Sequence, residues 1–90
     1  MSDLEISPRI WLSEHASIQL PDRKLRPEWV VYVLSNPEFV RSDWRHPGVK
    51  LAFARVPEFG NRWMRVAFAE REKGRIIITA MFDRKAEKWR

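Results

Sequence analysis

The stretch Trp63 to Phe82, WMRVAFAEREKGRIIITAMF, decides the fold. From Trp63 to Ala69 apolar and other residues alternate, which puts Met64, Val66 and Phe68 on one face of a strand and Arg65 on the other. Glu72-Lys73-Gly74 is a hairpin turn signal. Arg75 to Phe82 then reads as a second strand, with Ile76, Ile78, Ala80 and Phe82 on one face and Ile77, Thr79 and Met81 on the other. Strands joined by so short a turn pair antiparallel.

Working back along the chain, Leu51 to Val56 is a strand that ends in the loop Pro57–Asn61, and Phe39-Val40-Arg41 is a shorter one that ends at the turn His46-Pro47-Gly48. Before Phe39 the period changes. Pro27 suits a first helical position, Trp29, Val30, Val33 and Leu34 fall on one helical face, and Asn36-Pro37 closes the segment. Ser13 reads as the N-cap of an earlier helix, with Glu14 in its first turn and Pro21 as its end. Ile10-Trp11-Leu12 reads as an opening strand. For the charged tail from Asp83 to Arg90, a final helical turn and a frayed end both stay open. The expectation is a single α+β domain over residues 1–90, with 1–9 and 85–90 as peripheral tails: a short N-terminal strand, two helices, then a meander of about four antiparallel strands. The helices need one sheet face to bury their apolar stripes. The opposite face, carrying Arg65 and Thr79, is then partly open.

Ninety residues make one domain. There is no cysteine, so disulfides and thiolate metal sites are excluded. No apolar run reaches the ~18 residues of a membrane helix, and the acidic start Asp3-Leu4-Glu5 does not resemble a signal peptide, so the expected location is the cytoplasm. The net charge of +5 is uneven. Residues 1–45 hold six Lys/Arg against seven Asp/Glu, whereas residues 46–90 hold eleven against five. A positive half suits a polyanion or an acidic protein, and equally a plain solvated surface.

His15, in the first turn of the first helix, could act as a base; a lone histidine is more often without a task. His46, before Pro-Gly, reads as a turn residue. Arg65 lies within an apolar strand and must reach solvent or an anion; a guanidinium fits phosphate bidentately, and the alternative is an ion pair with a neighbouring strand. Thr79 sits at the matching register of the next strand and is, alone, a good strand residue. Arg84, Lys85, Lys88 and Arg90, with Trp89 among them, could contact phosphates or form a solvated terminus. The sequence contains no Gly-rich phosphate loop, no convincing carboxylate pair and no metal-ligand cluster, so neither metal nor cofactor is expected.

In order and spacing, Ser13-Glu14-His15-Ala16, Arg23, Leu25, Trp29-Val30, Asn36-Pro37, Arg65-Val66 and Ile76-Ile77-Ile78-Thr79-Ala80 resemble a bacterial domain-of-unknown-function family within the RelE/ParE-like toxin superfamily, close to the BrnT toxins. The resemblance spans roughly residues 10–84. It implies a curved antiparallel sheet whose open face carries the working surface, an RNA or gyrase target, and neutralisation by an acidic antitoxin protein. Carried over by position, it implies catalytic roles for His15, Arg65 and Thr79 and RNA contacts from Arg23, joined by Arg84 and Lys85 of the basic tail. The chemistry would be metal-independent RNA cleavage by the ribose 2′-hydroxyl. The chain departs from the pattern at Gln19, where a basic residue is usual four positions after the histidine, and at Pro21, which shortens the helix. Losing that cation weakens phosphate binding and leaves room for a non-catalytic module of the same fold.

Overall fold

The structure, a computed structural model, describes residues 3–90. Its ten elements run β1 (Leu4–Ser7), β2 (Ile10–Leu12), α1 (Glu14–Asp22), α2 (Pro27–Ser35), β3 (Phe39–Ser42), β4 (Val49–Val56), a 3-10 turn (Pro57–Phe59), β5 (Arg62–Arg71), β6 (Gly74–Phe82) and a last 3-10 turn (Ala86–Trp89). The strands form one sheet in the order β1-β2-β6-β5-β4-β3. The expected α+β architecture is present, with β3 to β6 as the antiparallel meander. The opening strand β2 pairs parallel with the last one, β6, from Ile10 opposite Arg75 to Leu12 opposite Ile77, and β1 adds an antiparallel edge beyond it.

Local chemistry explains both helices. The Ser13 hydroxyl accepts from the Ala16 amide at 3.1 Å, satisfying one of the donors that a helix start leaves free. Pro27 opens α2 where no backbone N–H is needed. Pro21 does not end α1, which continues to Asp22. So late in a helix the ring removes only the bond that would reach the Ser17 carbonyl, and the Arg23 amide still reaches Gln19 at 3.0 Å. The stop follows at Lys24, whose φ of 57° is left-handed. The Lys24 amide returns to the Pro21 carbonyl and the Leu25 amide to that of Leu20, a Schellman closure that buries Leu25 beside Leu20.

The helices cover one sheet face. Leu20 of α1 and Trp29, Val30, Val33 and Leu34 of α2 pack with Ala52, Ala54, Met64, Val66, Phe68, Ile77 and Ala80. Each large side chain so buried contributes about 1.5–3 kcal/mol. The face assignment on β6 differs from the sequence pattern. The register shifts between Ala67 and Phe68, Ala67 lying opposite Thr79 and Phe68 opposite Ile77, so one residue of β6 is extra. Ile77 therefore faces the helices and is buried, while Ile78 joins the other face and Ile76 is only half-buried.

The second face has its own smaller core of Leu51, Phe53, Ala67 and Ala86, flanked by Phe39, Val49, Trp63, Ile78 and Trp89. Of the two readings of the tail, the structure takes the helical one. The turn Ala86–Trp89 folds back so that Ala86 is fully buried and the Trp89 ring lies 5.8 Å from that of Phe53.

Candidate functional site

β2 stops at Leu12, so the half of β6 beyond Ile77 has no strand on that side. The chain turns there into α1, and side chains of α1 occupy the edge instead. Arg23 donates from Nη1 to the Ala80 carbonyl at 2.8 Å, and the Thr79 hydroxyl donates to Gln19 Oε1. One helical turn earlier, His15 Nε2 lies 3.2 Å from Gln19 Nε2. His15, Gln19 and Thr79 thus form one hydrogen-bonded chain with Arg23 beside it, and because Gln19 presents its amide nitrogen to the ring, His15 Nε2 is the acceptor in this arrangement. His15 is exposed; Gln19 and Thr79 are half-buried.

Arg65 lies on the second face, opposite Met81 rather than Thr79; Thr79 shares that face but lies opposite Ala67. The Arg65 guanidinium lies 3.6 Å from Asp83 Oδ2 and 2.8 Å from Met81 Sδ, and stands 5.6 Å from the centroid of the Trp89 ring. The side chains of Arg65 and Asp83 are 22% and 13% exposed, so this pair is held more firmly than a surface ion pair. Asp83 was not a sequence candidate; the signal for it was the strand cation two strands' length away that needed a partner. Around Arg65 the face alternates cations and rings. Arg55 stands over Trp63 at 5.1 Å and Arg90 over Phe39 at 5.2 Å. Arg55 also forks onto Glu38 at 2.8 and 3.1 Å, and this hydrogen bonding holds the Glu38 carboxyl below its ordinary pKa.

The remaining candidates lie apart. Arg84 and Lys85 are exposed at the start of the tail, with the Lys85 amide turned back to Asp83 at 2.9 Å. Arg84 lines a depression of about 210 Å³ with Arg62, Trp63 and Phe82. His46 Nδ1 sits 3.0 Å from Asp43 Oδ2, as a turn residue should. Partial burial pushes the Asp43 carboxyl up, but the Arg45 amide and the His46 ring outweigh it and leave it below its ordinary pKa. Among the described residues no three His, Cys, Asp or Glu side chains are grouped to hold a metal, and no helix is long and apolar enough to cross a membrane.

The sequence candidates therefore fall into two groups on different parts of the sheet. His15, Thr79 and Arg23 come together through Gln19, and Arg65 is held separately by Asp83 and Met81. Comparison with curated proteins and with solved structures finds no match. The family model described as a domain of unknown function, DUF4258, matches residues 12–82, from the buried end of β2 to the last residue of β6. That span contains both helices, the meander and the whole His15–Gln19–Thr79 chain, and the protein belongs to the DUF4258 family.

Proposed function

We propose that this domain acts on RNA as a toxin-type endoribonuclease of the RelE/ParE-like kind, related to the BrnT toxins. The observation that carries the reading is the chain from His15 through Gln19 to Thr79, with Arg23 beside it on a strand edge left without a strand partner. In the reaction, the ribose 2′-oxygen attacks the adjacent phosphorus. The O2′–P bond forms as the P–O5′ bond breaks, leaving a 2′,3′-cyclic phosphate and a 5′-hydroxyl. His15 takes the 2′-hydroxyl proton or supplies one to the departing O5′, and Arg23 presents its outward N–H groups to the phosphate. Gln19 orients the imidazole. The basic half of the chain favours the polyanionic substrate, and an acidic antitoxin protein is the partner this charge would attract.

A second reading, a non-catalytic RNA- or gyrase-directed module, is favoured by Arg65. Its guanidinium is engaged with Asp83 and Met81 under Trp89 rather than turned to a substrate. A single-turnover assay on total RNA, with and without EDTA, separates the two. The first reading expects cleavage that survives chelation and a His15→Gln variant slowed by about 10²–10⁴-fold with RNA binding nearly intact. Full activity of His15→Gln removes the histidine from the chemistry. No cleavage of any RNA by the parent protein decides for the binding module.

A further inference from the structure

The loop between β4 and β5 sets an arginine over aromatic rings at the end of β6. Pro57–Phe59 forms a 3-10 turn, and Gly60 and Asn61 follow it in left-handed conformation, with φ of 65° and 59°. The Asn61 amide returns to the Val56 carbonyl at 2.9 Å, and this tight reversal starts β5 at Arg62. The Arg62 guanidinium lies 4.6 Å from the centroid of the Phe82 ring and 5.2 Å from that of Phe59. Those two rings are stacked 4.9 Å apart. Trp29 of α2 backs them, 5.0 Å from Phe59 and 5.9 Å from Phe82. Trp29 and Phe82 belong to the helix-side core, so the platform beneath the guanidinium is fixed.

Arg84 reaches the same place from the next strand. Met64 faces Phe82 in the ladder, and the Asp83 amide donates to the Trp63 carbonyl at 2.9 Å, so pairing continues one residue past β6. The following step sets Arg84 beside Arg62, and both line the depression of about 210 Å³. Like charges at facing positions destabilise a sheet, yet neither arginine has a carboxylate or hydrogen-bond partner among the described residues. The acids at hand are engaged elsewhere. Asp83 lies 3.6 Å from Arg65 and accepts from the Lys85 amide at 2.9 Å. Glu58 accepts from the Trp29 indole at 2.6 Å and lies 3.8 Å from Arg26. Rings hold the Arg62 guanidinium without neutralising it, and leave its outer face and its N–H edge free.

We propose that Arg62 and Arg84, on the Phe59–Phe82 platform, form a second subsite for single-stranded RNA, an inference that rests on the RNA reading above. Arg62 offers its outer face to an unpaired base and, together with Arg84, N–H donors to the adjoining phosphate. The pair of charges suits any anion; the planar cation over rings is what favours a nucleotide. A duplex keeps its bases stacked inside and presents none to the platform. Position along β6 supports the assignment. Thr79 and Phe82 are three residues apart, roughly 10 Å at the rise of a strand, and Arg23 holds the Ala80 carbonyl between them. A single strand of a few nucleotides spans both places, so this subsite positions the RNA whose backbone reacts at His15.

Equilibrium binding of the full chain tests the proposal with a labelled oligouridylate, the same strand annealed to oligoadenylate, and polyglutamate. The single strand should bind most tightly. Arg62→Gln should weaken that binding about tenfold, the scale of one lost stacked base. Arg62→Lys keeps the charge and loses the plane, so most of that loss should persist, whereas Arg84→Lys should bind as the parent does. Arg84→Gln should weaken binding and lower its salt dependence by about one released counterion, and it carries the test if Arg62→Gln fails to fold. Lys73→Gln, an equal change of charge in the hairpin at the far end of β6, should leave affinity unchanged. Duplex or polyglutamate binding as tight as that of the single strand overturns the proposal, as does an Arg62→Lys variant that matches the parent. Binding that depends on Arg62 without any cleavage keeps the subsite and removes the nuclease. Cleavage by a protein whose binding is untouched by Arg62→Gln and Arg84→Gln does the reverse.

Discussion

The Thr79 hydroxyl donates to the side-chain oxygen of Gln19, fastening the middle of α1 to the strand edge that β2 leaves uncovered. Gln19 also meets His15, so this one amide sets the position of the ring. Replacing Gln19 by Ala should lower stability by about 1 kcal/mol, the net worth of a typical hydrogen bond, because its half-buried partner Thr79 loses an acceptor. Urea denaturation of the two proteins measures it. An unchanged midpoint would mean that the bridge does not persist in solution.

The bulge in β6 makes neighbouring isoleucines unequal. Ile77→Ala should cost ~2–5 kcal/mol, because the side chain is fully buried beneath the helices. Ile78→Ala should cost clearly less, since Ile78 is only half-buried on the other face. Phe68→Ala, opposite Ile77, should cost ~3–5 kcal/mol and unfold much of so small a domain. Melting temperatures that rank Ile78 above Ile77 would restore simple alternation.

The Arg55–Glu38 fork makes stability depend on pH. Glu38 has its carboxyl pKa lowered in the folded protein, chiefly by the Arg55 side chain. Its contribution is therefore present above the unfolded pKa, near the ordinary 4.5, and is lost as pH falls through the folded value. Glu38→Gln should lower the urea midpoint at neutral pH and narrow its gap to the parent in acid. A constant gap across both pH values would contradict the linkage.

Lys24 occupies the left-handed position that closes α1. Glycine takes this conformation without steric cost, so Lys24→Gly should stabilise the domain by ~0.5–1 kcal/mol, partly offset by a more flexible unfolded chain. Thermal melting reads the sign directly. A lower melting temperature would show that the Lys24 side chain contributes more than its backbone strain takes away.

Trp89 closes the second face. Trp89→Ala should uncover Phe53 and free the Arg65 guanidinium from its lid, at ~1–3 kcal/mol for the half-buried ring. If the Trp89 lid is what withholds Arg65 from nucleic acid, the same variant should bind RNA more tightly. Filter binding at fixed salt tests that, and unchanged RNA affinity would assign Arg65 a purely structural role.

What the sequence made legible was local. Ser13 and Pro27 mark helix starts because a cap or a missing N–H acts within one turn, and Pro57–Asn61 and Glu72–Gly74 mark reversals for the same reason. The strand faces before the bulge followed from alternation. Beyond it Ile76, Ile77 and Ile78 are all apolar, so no polar residue marked the slip in register. β1 is too short and too mixed to signal itself, and it gains its place only by pairing with β2. The parallel contact of β2 with β6 joins opposite ends of the chain and has no local signature. In the candidate site, His15, Thr79 and Arg23 were each visible by residue type, but what brings them together is the early end of β2. The ion pair considered for Arg65 does exist, with Asp83 as the acid.

That parallel contact also sets the order in which the domain can be completed. β2 emerges from the ribosome before either helix, yet its place between β1 and β6 does not exist until Arg75–Ile77 has been made. Until then the apolar faces of α1 and α2 have only part of the sheet to cover them, β4 and β5 arriving first. Completion of the sheet must therefore wait for a contact between distant parts of the chain, the kind of closure that slows folding and prolongs the exposure of hydrophobic surface.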